Sequence, residues 1–369
     1  MSIEFSKWLP WILGFGFYAV GSDTPRVKPQ VTENYVYIKM PDGTYELTHE
    51  PAMKSAAKAL KYAYATTGVK ELRRLMPRQL TGYITKKLGQ KKSAVDAEET
   101  ARKIASFFAD FGYVWHEQES SWQPRDEQTG ITMRAFGIDP DEWVIPADGF
   151  ASYNDFFIKK LAPGSRSIAP ENNVLVAPAD SKLTVIQNLS IKQGQSTFFN
   201  VKSKKFSLST FFKNSDLAEE FDGGTILIFR LSPYNYHRFH FPLSAVPTKS
   251  TTISGGFESV DPIAYKTGIN PLIINVRHIV PLHTSYGRAV MVIVGAFGVG
   301  SIIESFQPGR LYAKGDEAGY FQYGGSTIAL VFKKGALTVD PVFLDHSKAG
   351  YETAIKMGER IGILTSVSA

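Results

Sequence analysis

The sequence predicts an α+β protein: a helical N-terminal region followed by an antiparallel β-rich catalytic domain, barrel- or sandwich-like. Three observations carry this expectation. Helical patterns crowd the stretch before residue 115. After residue 145 short runs rich in Val, Ile and Phe take over, each bounded by Gly, Pro, Asn or Ser. Regular helices do not separate those runs, which argues against a doubly wound parallel sheet. The chain has 369 residues and is 43% hydrophobic and 21% charged, so it is globular and long enough for two domains. The expected division is a hydrophobic segment over 1–22, a mainly helical region over 23–145 and a β-rich domain over 146–369.

Trp8 to Val20 is uncharged, with two tryptophans, three other aromatics and Pro10. Three readings fit it: a signal-peptide core, an interfacial anchor, or an arm packed on the protein itself. It is too short to span a bilayer as a helix. Residues 22–52, rich in Pro, Asp, Gly and Thr, read as irregular linker. Ala52 to Ala65 has an Ala-rich helical pattern. Lys70 to Lys92 carries eight basic residues beside Glu71, which suits either a solvated face or an anionic lipid surface. Asp96, with Glu99 three residues on, has capping-box spacing; Ile104, Phe107, Phe108 and Phe111 mark one face of the helix that Gly112 closes. Six strands are then expected: Val174 to Val176, Leu183 to Ile186, Thr225 to Arg230, Leu272 to Val276, Ala289 to Val294 and Thr327 to Phe332.

The formal net charge of +6 is mild, and nucleic acid is not expected as a partner. The absence of cysteine excludes disulfides, thiolate metal sites and a cysteine nucleophile. Three clusters could carry chemistry. Ala177-Pro178-Ala179-Asp180-Ser181 offers an acid, although Asp180 also suits an Asx turn. Tyr236-His237-Arg238-Phe239-His240 offers two histidines; without a matching third ligand nearby, His-x-x-His is a poor metal site. Gly324-Gly325-Ser326-Thr327 offers a serine ahead of an apolar strand, and Ile328 rules out a Gly-x-Ser-x-Gly elbow. Acid, histidine and serine are the parts of a nucleophilic triad. The other histidines, His49, His116, His278, His283 and His346, stand isolated and read as structural or exposed.

These clusters, in order, resemble the phosphatidylserine decarboxylase family. The resemblance begins at Tyr153-Asn154-Asp155-Phe156-Phe157 and runs through Leu161-Ala162-Pro163-Gly164-Ser165-Arg166, the Asp180 turn and the Tyr236–His240 segment. It continues with Ser259-Val260-Asp261-Pro262, Val294-Gly295-Ala296, Val299-Gly300-Ser301-Ile302 and Lys314-Gly315-Asp316-Glu317. It ends at Gly324-Gly325-Ser326-Thr327 and Gly358-Glu359-Arg360-Ile361-Gly362. Residues 1–145 lie outside it.

The resemblance implies a self-processing zymogen, a lyase whose cofactor is a pyruvoyl group made from its own Ser326, with neither pyridoxal phosphate nor a metal. The chain would break between Gly325 and Ser326: the serine attacks the preceding carbonyl, the ester eliminates, and hydrolysis leaves pyruvoyl and ammonia. The mature protein would be a heterodimer of its own two chains, its further oligomeric state open. His240, oriented by Asp180, would take the hydroxyl proton, and His237 or His240 would return a proton after decarboxylation. The implied reaction converts phosphatidylserine to phosphatidylethanolamine and carbon dioxide at a membrane surface, with peripheral attachment. The same-family alternative is a soluble amino-acid decarboxylase, for instance acting on tryptophan in the cytoplasm. A serine hydrolase built on Asp180, His240 and Ser326 and a non-processing lipid-binding relative are further alternatives, both with an intact chain.

Overall fold

The structure, a computed structural model, describes residues 35–49, 139–147, 150, 153–189, 199–201, 204–232, 235–256, 260, 270–296, 302–322 and 326–367. The expected anchor at Trp8 to Val20, both N-terminal helices and the Lys70–Lys92 basic run lie outside these residues.

Along the chain the elements are β1 (Tyr35–Lys39), β2 (Tyr45–His49), β3 (Trp143–Val144), α1 (Tyr153–Phe157), β4 (Lys160–Leu161), β5 (Val174–Val176) and β6 (Ser181–Gln187). Next come β7 (Phe199–Val201), β8 (Lys204–Phe206), α2 (Leu208–Phe212), α3 (Ser215–Glu219), β9 (Thr225–Leu231), β10 (Arg238–His240), β11 (Val246–Pro247) and β12 (Thr251–Ile253). The last part holds α4 (Pro271–Ile274), β13 (Arg277–Thr284), β14 (Gly287–Gly295), β15 (Ile302–Glu304), β16 (Glu317–Phe321), β17 (Ser326–Phe332), β18 (Leu337–Val339), α5 (Pro341–Lys348), β19 (Glu352–Ile355) and β20 (Arg360–Leu364).

Ten strands form one sheet, in the order β11-β13-β14-β17-β9-β6-β19-β1-β2, with β12 paired to β13. Its pairs are antiparallel except β1 with β19. The path is open, so the sheet is not a closed barrel. Two three-stranded sheets, β10-β16-β15 and β18-β20-β5, contribute to the core on one of its faces. The helices α2, α3 and α4 contribute to the core on the other.

That layering explains the unbroken apolar runs at the sheet centre. In β17, Ile328, Leu330 and Phe332 enter the core shared with the small sheets, while Ala329 and Val331 enter the core under the helices. In β14, Ala289, Met291 and Ile293 face the first core, and Val290, Val292 and Val294 the second. A strand covered on both faces has no solvent side on which to place polar residues.

Two expectations are corrected. Within the supposed linker over 22–52, residues 35–49 form a hairpin that extends the main sheet. Asp42 Oδ1 accepts from the Thr44 amide at 2.9 Å and Gly43 takes φ +85°, the chemistry of a tight turn. The strand expected over Leu272 to Val276 is instead the helix α4. Asn270 caps it, accepting from the Leu272 amide at 3.3 Å, and Pro271 occupies its first position.

Candidate active site

The Ala177–Asp180 turn joins β5 to β6 and is tied down on two sides. The His240 amide donates to Pro178 O at 2.8 Å, and the Ala177 amide to Glu359 O at 2.8 Å. Asp180 thereby sits beside the end of β10. Its Oδ1 accepts from the Met357 amide at 2.8 Å and from Arg166 Nε at 3.2 Å, and its Oδ2 from the Arg166 guanidinium at 2.6 Å. The guanidinium also donates to Glu142 at 2.9 Å, and Glu142 pairs in turn with the Lys356 ammonium. Burial pushes the Glu142 carboxyl up, but the hydrogen bonds from Lys356 and Arg166 outweigh it and leave Glu142 below its ordinary value.

Lys159 completes this corner. Its ammonium lies 4.7 Å from the Trp143 ring and 4.5 Å from the Phe156 ring. Burial pulls its pKa down to about 7, against the opposing attraction of Asp180.

His240 ends β10 at a register shift against β16. Its Nδ1 lies 2.9 Å from Gly315 O. A carbonyl oxygen only accepts, so Nδ1 carries the hydrogen. Burial holds the imidazole below its ordinary pKa, hence neutral, and Nε2 presents a lone pair. That lone pair accepts from the Tyr236 hydroxyl at 2.9 Å. Gly315 can offer its carbonyl here because it adopts φ +90°; a Cβ at this position would come within 2.4 Å of Ile168 Cδ1. Burial raises the Tyr236 phenol well above its ordinary value, so it remains a donor.

His237 precedes β10 and is fully buried. Its Nδ1 lies 2.8 Å from Asn235 O, which assigns the same tautomer, and its ring stacks on Phe157 with centroids 3.8 Å apart. Arg238, the next residue, pairs with Glu317 at 3.0 Å and donates to Ile158 O at 2.8 Å, locking β10 between β16 and the end of α1.

Ser326 opens β17 opposite Leu231 of β9 and Gly295 of β14. It is fully buried, and its Oγ has no hydrogen-bond partner among the described residues. Gly324 and Gly325 lie outside those residues. The structure thus ties Asp180 to Arg166 and His240 to Tyr236, and brings the Asp180 turn onto the His240 backbone. It places no hydrogen bond between Asp180 and His240, whose ring is oriented by Gly315 O, nor between Ser326 and either histidine. Arg166, Tyr236 and Gly315 stand within the sequence motifs but carry no role there; Arg166 and Gly315 meet partners 14 and 75 residues away, and the Tyr236 contact depends on how the rings are packed.

A buried hydroxyl without a partner is costly in a finished fold unless it has another use. His240, a neutral imidazole whose hydrogen is held on Nδ1, is the kind of group that takes a proton from a serine.

The family model for phosphatidylserine decarboxylase matches residues 153–363. A phosphatidylserine decarboxylase proenzyme of Clostridium novyi is 40% identical over 228 residues, covering 62% of this chain and 76% of that protein. The proenzyme of Chlamydia pneumoniae is 38% identical over 251 residues, covering 68% and 81%. That of Fusobacterium nucleatum is 34% identical over 294 residues, covering 76% and 96%.

Proposed function

This chain belongs to the phosphatidylserine decarboxylase family, and from that premise we propose that it is a proenzyme that cleaves itself before Ser326 and then decarboxylates phosphatidylserine to phosphatidylethanolamine. The observation that carries the reading is the Ser326 hydroxyl, buried and without a hydrogen-bond partner among the described residues, directly after two glycines in the sequence.

In self-cleavage, Ser326 Oγ attacks the Gly325 carbonyl carbon as its proton passes to His240. The peptide bond becomes an ester; elimination releases the Gly325 carboxylate, and water replaces the nitrogen, which leaves as ammonia. The N-terminal pyruvoyl group so formed supplies an electron sink for loss of carbon dioxide. The surrounding residues fit such a group: the first residue of β17 is held on both sides by strand pairing, and water is excluded. Asp180 acts on His240 by its charge, which favours the imidazolium that proton transfer creates. His237, its Nδ1–H committed to Asn235 O, is the group assigned to return a proton to the substrate's α-carbon: Nε2 takes up the proton that the substrate's ammonium gives up and passes it to that carbon.

The substrate is assigned from the names of the relatives, which carry phosphatidylserine. No helix among the described residues is long and apolar enough to cross a membrane. Attachment is proposed to be peripheral, with the Trp8–Val20 stretch and the Lys70–Lys92 basic run on the lipid.

Denaturing mass spectrometry tests the reading. The wild type should separate into residues 1–325 and 326–369, the shorter chain starting with pyruvoyl. Ser326→Ala should remain one chain and be inactive on phosphatidylserine vesicles. Fully active protein that runs uncleaved would overturn the assignment, and turnover of free tryptophan without turnover of lipid would overturn the substrate.

A further inference from the structure

A chain of buried polar contacts leads from the main sheet to His237. Arg230 of β9 forks onto Glu352 of β19, at 3.0 Å and 2.6 Å, and also donates to Ser232 Oγ at 3.1 Å. Lys182 of β6, opposite Arg230 in the sheet, donates to the same hydroxyl at 2.9 Å and to Asn235 Oδ1 at 2.8 Å. Asn235 Oδ1 accepts a second bond, from the Ser232 amide at 2.8 Å, and the Asn235 amide returns one to Ser232 O at 2.8 Å. The Asn235 carbonyl is then the acceptor for His237 Nδ1–H.

The loop from Ser232 to Asn235 could close on its own two mutual bonds. Lys182 adds something else: it ties the Asn235 side chain to a strand anchored in the main sheet. That fixes the direction of the Asn235 carbonyl, and with it the tautomer and tilt of His237, while the Phe157 ring defines its plane. Burying an ammonium is unfavourable unless it is well hydrogen-bonded, and two of its bonds go to the segment that carries the histidine.

We propose that Lys182 and Asn235 are positioning residues for His237, holding its ring so that Nε2 is the nitrogen that moves the proton in decarboxylation. This rests on the proposed role of His237. Neither residue bonds to His240 or Ser326, so self-cleavage should not need them.

The test uses the full chain. Lys182→Met and Asn235→Leu should mature to two chains yet turn over phosphatidylserine vesicles on the order of 10²-fold more slowly, through kcat and not KM. Asn235→Asp keeps an oxygen that accepts from both Lys182 and the Ser232 amide, and should restore the rate. A second readout needs no turnover: in ¹⁵N-histidine-labelled Ser326→Ala protein, the His237 signals, assigned by their loss in His237→Gln, should report a single Nδ1–H tautomer. Lys182→Met and Asn235→Leu should mix it, and Asn235→Asp should keep it. If Lys182→Met does not fold, the Asn235 pair decides alone. An unchanged tautomer in the variants, or wild-type turnover by them while His237→Gln is inactive, overturns the proposal. Wild-type turnover by His237→Gln would instead overturn the role given to His237, and the tautomer measurement would still decide whether Lys182 and Asn235 position the ring.

Discussion

The Tyr236 hydroxyl donates to Nε2 of His240 at 2.9 Å, occupying the nitrogen that self-cleavage requires as a base. A hydrogen bond to the lone pair stabilises neutral imidazole against protonation. Burial acts in the same direction, so the acid limb of self-cleavage should lie below the ordinary histidine value of 6.5. Tyr236→Phe removes the donor and makes His240 easier to protonate. One neutral hydrogen bond is worth about 1 kcal/mol, so the limb should move up by about 0.7 pH unit. The measurement is the first-order rate of appearance of the short chain between pH 5 and 8. An acid limb at the same pH in both proteins would show that the contact leaves the base unaffected.

Lys159 should give the folded protein an unusual dependence on pH. Its pKa is about 7 when folded and 10.5 when exposed, so between these values the unfolded chain holds a proton that the folded chain lacks. Stability contributed by this group therefore rises with pH across that window, approaching about 1.4 kcal/mol per pH unit. Comparison with Lys159→Met isolates the share of this group. Denaturant melts at pH 7, 8.5 and 10 should show the wild type gaining on the variant. A constant difference would mean that the Lys159 amine keeps its ordinary proton affinity.

Much of the fold was legible because the central strands are apolar on both faces. The expected Thr327 to Phe332 and Ala289 to Val294 lie inside β17 and β14. The β1–β2 hairpin was not, because Pro, Asp and Gly nearby hid the alternation in Tyr35-Val36-Tyr37-Ile38-Lys39, although Asp42-Gly43 was a turn signal. At the site, Asp180, His237, His240 and Ser326 stand out by residue type and motif. What holds them was not readable: Arg166 reaches Asp180 across a separation of 14 residues, and Gly315 reaches His240 across 75. Such pairings are set by tertiary packing, which no local pattern encodes.

Arg277 should be a stability residue and nothing more. It is fully buried and donates to four carbonyls, those of Thr210 and Phe211 in α2, Ile273 in α4, and Asn275. It thus satisfies helix-end acceptors that would otherwise be orphaned. Arg277→Met should lower the unfolding free energy on the order of 3 kcal/mol. Arg288→Ala, which breaks the partly exposed pair with Glu220, should cost less than about 1 kcal/mol. Thermal melts of the two variants against wild type make the comparison, and equal losses would contradict the burial argument.

Asp180 presents the sharpest test, because its carboxylate is bonded to Arg166 and the Met357 amide and not to His240. Two roles are separable. If Asp180 acts on His240 by its charge, Asp180→Asn removes the field that favours imidazolium, even though the amide oxygen can still accept from Met357. Self-cleavage should then slow by about 10²-fold or more, within the span of general-base assistance. Arg166→Gln leaves that charge in place and takes away the guanidinium that partly neutralises it. It should therefore mature within about tenfold of wild type while losing stability, since Asp180 and Glu142 both lose a buried partner. The double variant should lose less stability than the two singles added together, because each removes the same ion pair. The readouts are the first-order rate at which the short chain appears and the melting temperature of each precursor on a Ser326→Ala background. Maturation of Asp180→Asn at the wild-type rate would reduce Asp180 to the counter-ion of Arg166. An Arg166→Gln defect as deep as that of Asp180→Asn would mean that the held position of the carboxylate, and not its charge alone, serves the base.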